Sequence, residues 1–127
     1  MSRRMACSMT IDAVRDQTKT VTRRKVGSWE SLKPGDRLTL IEKGMGLPKG
    51  AKQVVICEVE VVDVRVEPLS RITEAECAAE GFPQYTPFEF AAFWMAGHGY
   101  ALPADERAVN RVLCRRIEWR YLDGEPS

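Results

Sequence analysis

The chain has 127 residues, with 44% hydrophobic and 29% charged residues, which suits one globular domain with a real core. Nineteen Lys and Arg against eighteen Asp and Glu leave a formal net charge of +1. That excludes a global pull toward nucleic acid, so any phosphate contact has to come from a local patch. No stretch approaches the roughly 18 apolar residues of a membrane span. Met1-Ser2-Arg3-Arg4 is basic, but the apolar run of a secretory signal does not follow. The expectation is a single cytoplasmic domain over residues 1–127, fraying at 1–3 and 123–127.

Residues 4–8 read as a short first strand. A helix follows over about 9–17, capped by Ser8 or Thr10, with Ile11 and Val14 at helical spacing toward a core. Residues 20–24 read as a strand. Lys33-Pro34-Gly35-Asp36 is a turn, with Pro preset at its second position and Gly supplying positive φ. A strand with Leu38 and Leu40 on one face comes next. The glycine-rich stretch 44–50 lacks the phosphate-loop pattern and reads as a hairpin loop. The long strand over 53–67 changes phase between Ile56 and Val59, which predicts a bulge or bend near Glu58, as a small barrel requires. Thr73-Glu74-Ala75-Glu76 and Thr86-Pro87-Phe88-Glu89 are capping boxes that open two helices. The first ends near Glu80, with Gly81 as its stop, and the second near Gly97. Phe90, Phe93 and Trp94 fit core packing better than a base-stacking platform. The last strand carries Leu113, Ile117, Trp119 and Tyr121 on one face, interrupted by Arg115. Together these make a small α+β domain with a mixed or antiparallel sheet and about three external helices.

Cys7, Cys57, Cys77 and Cys114 form no Cys-x-x-Cys pair, and His98 is the single histidine. They read as free thiols of a reducing compartment, and neither metal nor cofactor is expected. His98 lies between Gly97 and Gly99 beyond a helix end, and reads as solvated there.

The chemically richest stretch is Lys19-Thr20-Val21-Thr22-Arg23-Arg24. In a strand, Thr20, Thr22 and Arg24 share one face, and Val21 and Arg23 the other. Two hydroxyls and a guanidinium suit a polar, anionic or amide-bearing ligand, while a solvated edge strand is the plainer reading.

This hexapeptide resembles the Lys-Thr-x-Thr-x-Arg signature of ASCH domains, PUA-like in fold, especially the small phage and prophage type. The resemblance implies that the sheet is closed into a PUA-like β-barrel. The resemblance extends to the preceding helix over Met9–Arg15, the turn over Lys33–Leu38, Glu80-Gly81-Phe82 and the closing Arg116-Ile117-Glu118-Trp119. Members of that family often carry Gly-Arg before the Lys-Thr pair, where this chain has Gln17-Thr18. Some small ASCH proteins are amidohydrolases that remove an acetyl group from the exocyclic amine of cytidine. The resemblance implies Lys19, Thr22 and Glu80 as catalytic residues, with Glu76 a competitor for the carboxylate. Arg24 belongs to the same motif, and the chemistry of the segment itself adds Thr20 and Arg23 to Arg24 as ligand-binding candidates. Lys19 and Thr22 are three apart, so both reach one site only if Lys19 sits on the turn before the strand.

Two main functions follow as expectations. One is a binding module for RNA or a pyrimidine nucleoside or nucleotide, with Arg23, Arg24 and Lys25 meeting phosphate. The other is the amidohydrolase, with Lys19 activating the Thr22 hydroxyl. A protein-interaction domain is a third reading. Oligomeric state, acyl group and base are left open.

Overall fold

The computed structural model describes residues 3–44 and 46–122. The ends expected to fray lie outside the described residues except for Arg3, which opens the first strand. The elements run β1 (Arg3–Ala6), α1 (Ile11–Arg15), β2 (Val21–Lys25), β3 (Arg37–Ile41) and β4 (Val55–Pro68). After a 3₁₀ turn (Leu69–Arg71) come α2 (Glu74–Glu80), α3 (Pro87–Gly97), α4 (Glu106–Asn110) and β5 (Leu113–Tyr121).

The five strands form one mixed sheet in the order β1-β3-β4-β5-β2. β1 runs parallel to β3, and the other neighbours are antiparallel. The fold is α+β and barrel-like, but the curl stops at a half-barrel, with β1 and β2 as the two edges. Two irregularities in β4 bend the sheet. The register against β3 slips between Leu40 and Ile41, leaving Ile56 unpaired, and that against β5 slips between Val61 and Asp63, leaving Val62 unpaired. Each extra residue increases the local twist. The phase change in the sequence marks the first, two residues before Glu58; the second falls where the alternation switches again, from Val59 and Val61 to Val64 and Val66.

Alternation of side chains sets up two cores. One face carries Met5, Leu38, Leu40, Val59, Val61, Ile117 and Trp119, and α1 closes it with Val14. The other face carries Cys114 and is roofed by Leu69, Cys77, Phe90, Trp94 and Val109 from the 3₁₀ turn and α2 to α4. β2 is an edge strand beside both. The Pro34-Gly35 turn forms as expected: Gly35 has φ of 94° and Asp36 N–H donates to Lys33 O at 3.1 Å. α4 had no counterpart in the sequence reading, although Asp105 caps it by accepting from Ala108 N–H at 3.2 Å. No helix among the described residues is long and apolar enough to cross a membrane.

Candidate functional site

The turn between α1 and β2 decides where Lys19 goes. α1 is shorter than expected, and Met9 is exposed. Beyond it Gln17 takes φ of 64°, the left-handed conformation that a glycine adopts without strain. Thr18 and Lys19 N–H both donate to Ala13 O, at 2.9 and 3.0 Å, and Thr20 N–H donates to Ala79 O in α2 at 2.8 Å. β2 then starts at Val21. Lys19 therefore precedes the strand, which frees it from the strand's alternation. From β5, Trp119 Nε1 and Tyr121 OH donate to Lys19 O at 3.0 and 2.5 Å and fix the residue.

The Lys19 side chain is 4% exposed, and its ammonium lies 3.5 Å from Glu80 Oε1. It also donates to Glu80 O at 2.5 Å, so a cation caps the C-terminal end of α2. Glu80 is the last residue of α2, and its other oxygen accepts from Arg23 Nη1 at 3.0 Å. A carboxylate opposing a helix dipole costs about 0.3–1 kcal/mol, and here two cations offset it. Gly81 permits the approach. It has φ of 99°, and a Cβ there would lie 2.8 Å from Thr10 Cγ2 and 3.2 Å from Ala13 Cβ.

Thr22 pairs with Ile117 in register, so its side chain shares the face of the first core. Its Oγ1 accepts from Arg24 Nε at 3.2 Å, and Arg24 Nη2 donates to Ala6 O on β1 at 3.1 Å. Thr20 is not among the cavity walls; its carbonyl serves Trp119 N–H at 3.0 Å. Arg23 projects to the opposite face. There it pairs with Glu80, with Glu67 at 3.1 Å and with Glu76, and Arg116 shares Glu76 at 3.1 Å. Its side chain is fully buried, so its fork serves carboxylates of this chain rather than a phosphate. Glu80 rather than Glu76 faces Lys19; Glu76 also gives its half of the expected capping box to the arginines.

Lys19, Thr22, Arg23, Arg24 and Glu80 line one cavity of about 200 Å³. Its lining is also aromatic, with Phe82, Phe90, Phe93, Trp94 and His98. Phe90 and Trp94 are core residues as expected, yet they also face this space. His98 is not solvated: half-buried, it stacks on Trp94 with ring centroids 3.9 Å apart. The wall was legible in principle, because Phe90, Trp94 and His98 recur every four residues along one helix face.

Burial pushes the Lys19 ammonium below its ordinary pKa, against the opposing pull of Glu80. Burial also lowers the Arg24 guanidinium. A lysine poised this way holds a neutral amine more readily than one in water, and the Arg24 bond stabilises negative charge on Thr22 Oγ1. Among the described residues, no group of three His, Cys, Asp or Glu side chains is placed to hold a metal ion.

No family model matches the chain, and no curated protein matches its sequence. In structure the chain is similar to protein EF3133 from Enterococcus faecalis V583, whose crystal structure is described by the family model DUF984. The TM-score is 0.65 at 14% identity, over 96% of this chain and 80% of that one. At that identity the likeness concerns the fold, and function has to be argued from the site.

Proposed function

We propose that the cavity binds a pyrimidine nucleoside and hydrolyses an acyl group from its exocyclic amine. This is the activity implied by the resemblance of the Lys19–Arg24 segment to acetylcytidine-hydrolysing ASCH domains. The observation that carries it is the buried Lys19–Glu80 pair, on a cavity that also holds the Thr22 hydroxyl. The Lys19 amine takes the Thr22 proton as Oγ1 attacks the acyl carbon; Arg24 Nε, bonded to Oγ1, stabilises the charge that proton loss leaves there before it passes to the acyl carbonyl oxygen. The C–N bond then breaks, and the Lys19 ammonium returns the proton to the leaving amine. Water, deprotonated by the same amine, then attacks the ester on Thr22; the bond from the acyl carbon to Oγ1 breaks, the Lys19 ammonium returns the proton to Oγ1, and the acyl group leaves as a carboxylic acid. Glu80 holds Lys19 in place throughout, itself held from behind by Arg23.

Size favours a small ligand over RNA. A cavity of about 200 Å³ is below the roughly 300–1,000 Å³ of drug-sized sites, which favours a single base or nucleoside over an extended strand. With Arg23 committed to carboxylates, the segment keeps too few cations for a phosphate track.

The test is incubation of the protein with N4-acetylcytidine, following cytidine by chromatography. Thr22→Ala is expected to lower turnover by about 10²-fold or more while binding persists, because the hydroxyl acts in the transition state. Arg24→Ala is expected to weaken both. If no cytidine forms, or Thr22→Ala turns over like the parent, the proposal fails.

A further inference from the structure

His98 is the chain's single histidine, and its ring is held from two sides. One face lies on Trp94, at an interplanar angle of 24°. Trp94 is itself tied to β2, its indole N–H donating to Arg23 O at 3.0 Å. The ring edge is fixed by Nδ1, which lies 2.7 Å from Trp94 O. A carbonyl oxygen only accepts, so Nδ1 carries the proton there. In the neutral ring the lone pair then sits on Nε2, which makes no hydrogen bond among the described residues.

The rest of the cavity is rich in donors and poor in acceptors. Lys19 and Arg24 only donate, and both oxygens of Glu80 already face cations. Apart from hydroxyls and the backbone, Nε2 is the uncommitted acceptor.

Resting on the function proposed above, we infer that His98 is a ligand-binding residue. Its Nε2 accepts a hydrogen bond from an N–H of the ligand, and so selects ligands with a secondary-amide N–H over those whose amide nitrogen is fully substituted. N4-acetylcytidine presents such an N–H on the bond to be cleaved. Accepting from it would orient the acyl group within the cavity that Thr22 also lines.

The experiment uses ¹⁵N-histidine-labelled Thr22→Ala protein, in which ligand persists. The probes are N4-acetylcytidine and N4-acetyl-N4-methylcytidine, which lacks the N–H. N4-acetylcytidine is expected to move the His98 Nε2 resonance while Nδ1 stays protonated. It is also expected to bind about three- to tenfold more tightly than the methylated probe, the worth of one hydrogen bond. In His98→Phe that preference should vanish, and in His98→Gln part of it should return, because the amide oxygen accepts. An unmoved Nε2, or a preference that persists in His98→Phe and so comes from the bulk of the methyl group, overturns the inference. Turnover by the parent protein then still supports the amidohydrolase reading. If neither probe binds, both fall.

Discussion

Replacing Arg23 by Met is the most exacting test of how the site is held. Met fills much of the same volume, so the loss is chiefly one buried cation facing Glu80, Glu67 and Glu76. Removing one partner of a buried ion pair costs about 3–5 kcal/mol. An opposing effect comes from Arg23 Nε, which is buried and has no hydrogen-bond partner among the described residues. Deleting an unsatisfied donor returns about 1–3 kcal/mol, which brings the expected loss down to about 2 kcal/mol. With a urea m-value of about 2 kcal/mol/M, the unfolding midpoint should fall by about 1 M. Adding Glu80→Gln to Arg23→Met should recover at least about 1 kcal/mol relative to the sum of the single losses, because the stranded charge is gone. A loss under about 1 kcal/mol, or strict additivity with both Glu80→Gln and Glu76→Gln, would refute the clamp.

The remaining predictions concern the same neighbourhood. Because burial lowers Lys19 from its ordinary 10.5, the rising limb of the pH–rate profile should have its midpoint below pH 10.5. Glu80 opposes that lowering, so Glu80→Gln should move the midpoint further down; a move upward contradicts the assignment of Lys19 as base. Gly81→Ala should cost about 1–3 kcal/mol from positive φ and the clash with Thr10, and turnover should fall as Glu80 shifts; denaturation and rate measurements check both. For Glu76, burial opposes the charged form, but hydrogen bonds from Arg23 and Arg116 outweigh it and hold the carboxyl below its ordinary 4.5. Its contribution to stability is therefore complete above pH 4.5 and is lost as pH falls through the lowered value. Glu76→Gln should flatten that part of the acid limb in urea titrations, and an unchanged slope would count against the pairing.

Local chemistry made much of the fold readable. Thr73, Gly81 and the Thr86–Glu89 box fixed both ends of α2 and the start of α3, because caps act within a turn of where they stand. The Lys19 turn followed from counting residues against strand alternation. The bulge at Val62 went unread although the valine alternation switches there, from Val59 and Val61 to Val62, Val64 and Val66. The destination of Arg23 was not readable. Its partners Glu67, Glu76 and Glu80 are 44, 53 and 57 positions away in the chain, and nothing within the hexapeptide separates a guanidinium bound for a ligand from one bound for a carboxylate cluster. His98 was misjudged as solvated because flanking glycines suggest a loose loop, whereas stacking on Trp94 is a tertiary fact.

The bond from Arg24 to Ala6 O joins the two edge strands where a closed barrel would have a ladder. Parting β1 from β2 thus breaks one side-chain contact where parting β4 from β5 breaks a nine-residue pairing. This line is the hinge of least resistance in the sheet, and backbone amides of β1 and β2 should exchange with solvent sooner than those of β4 and β5. The guanidinium that fastens the gap also holds the Thr22 oxygen. One side chain thus ties the seam and the Thr22 oxygen together, so that loss of the Arg24 guanidinium should release both at once.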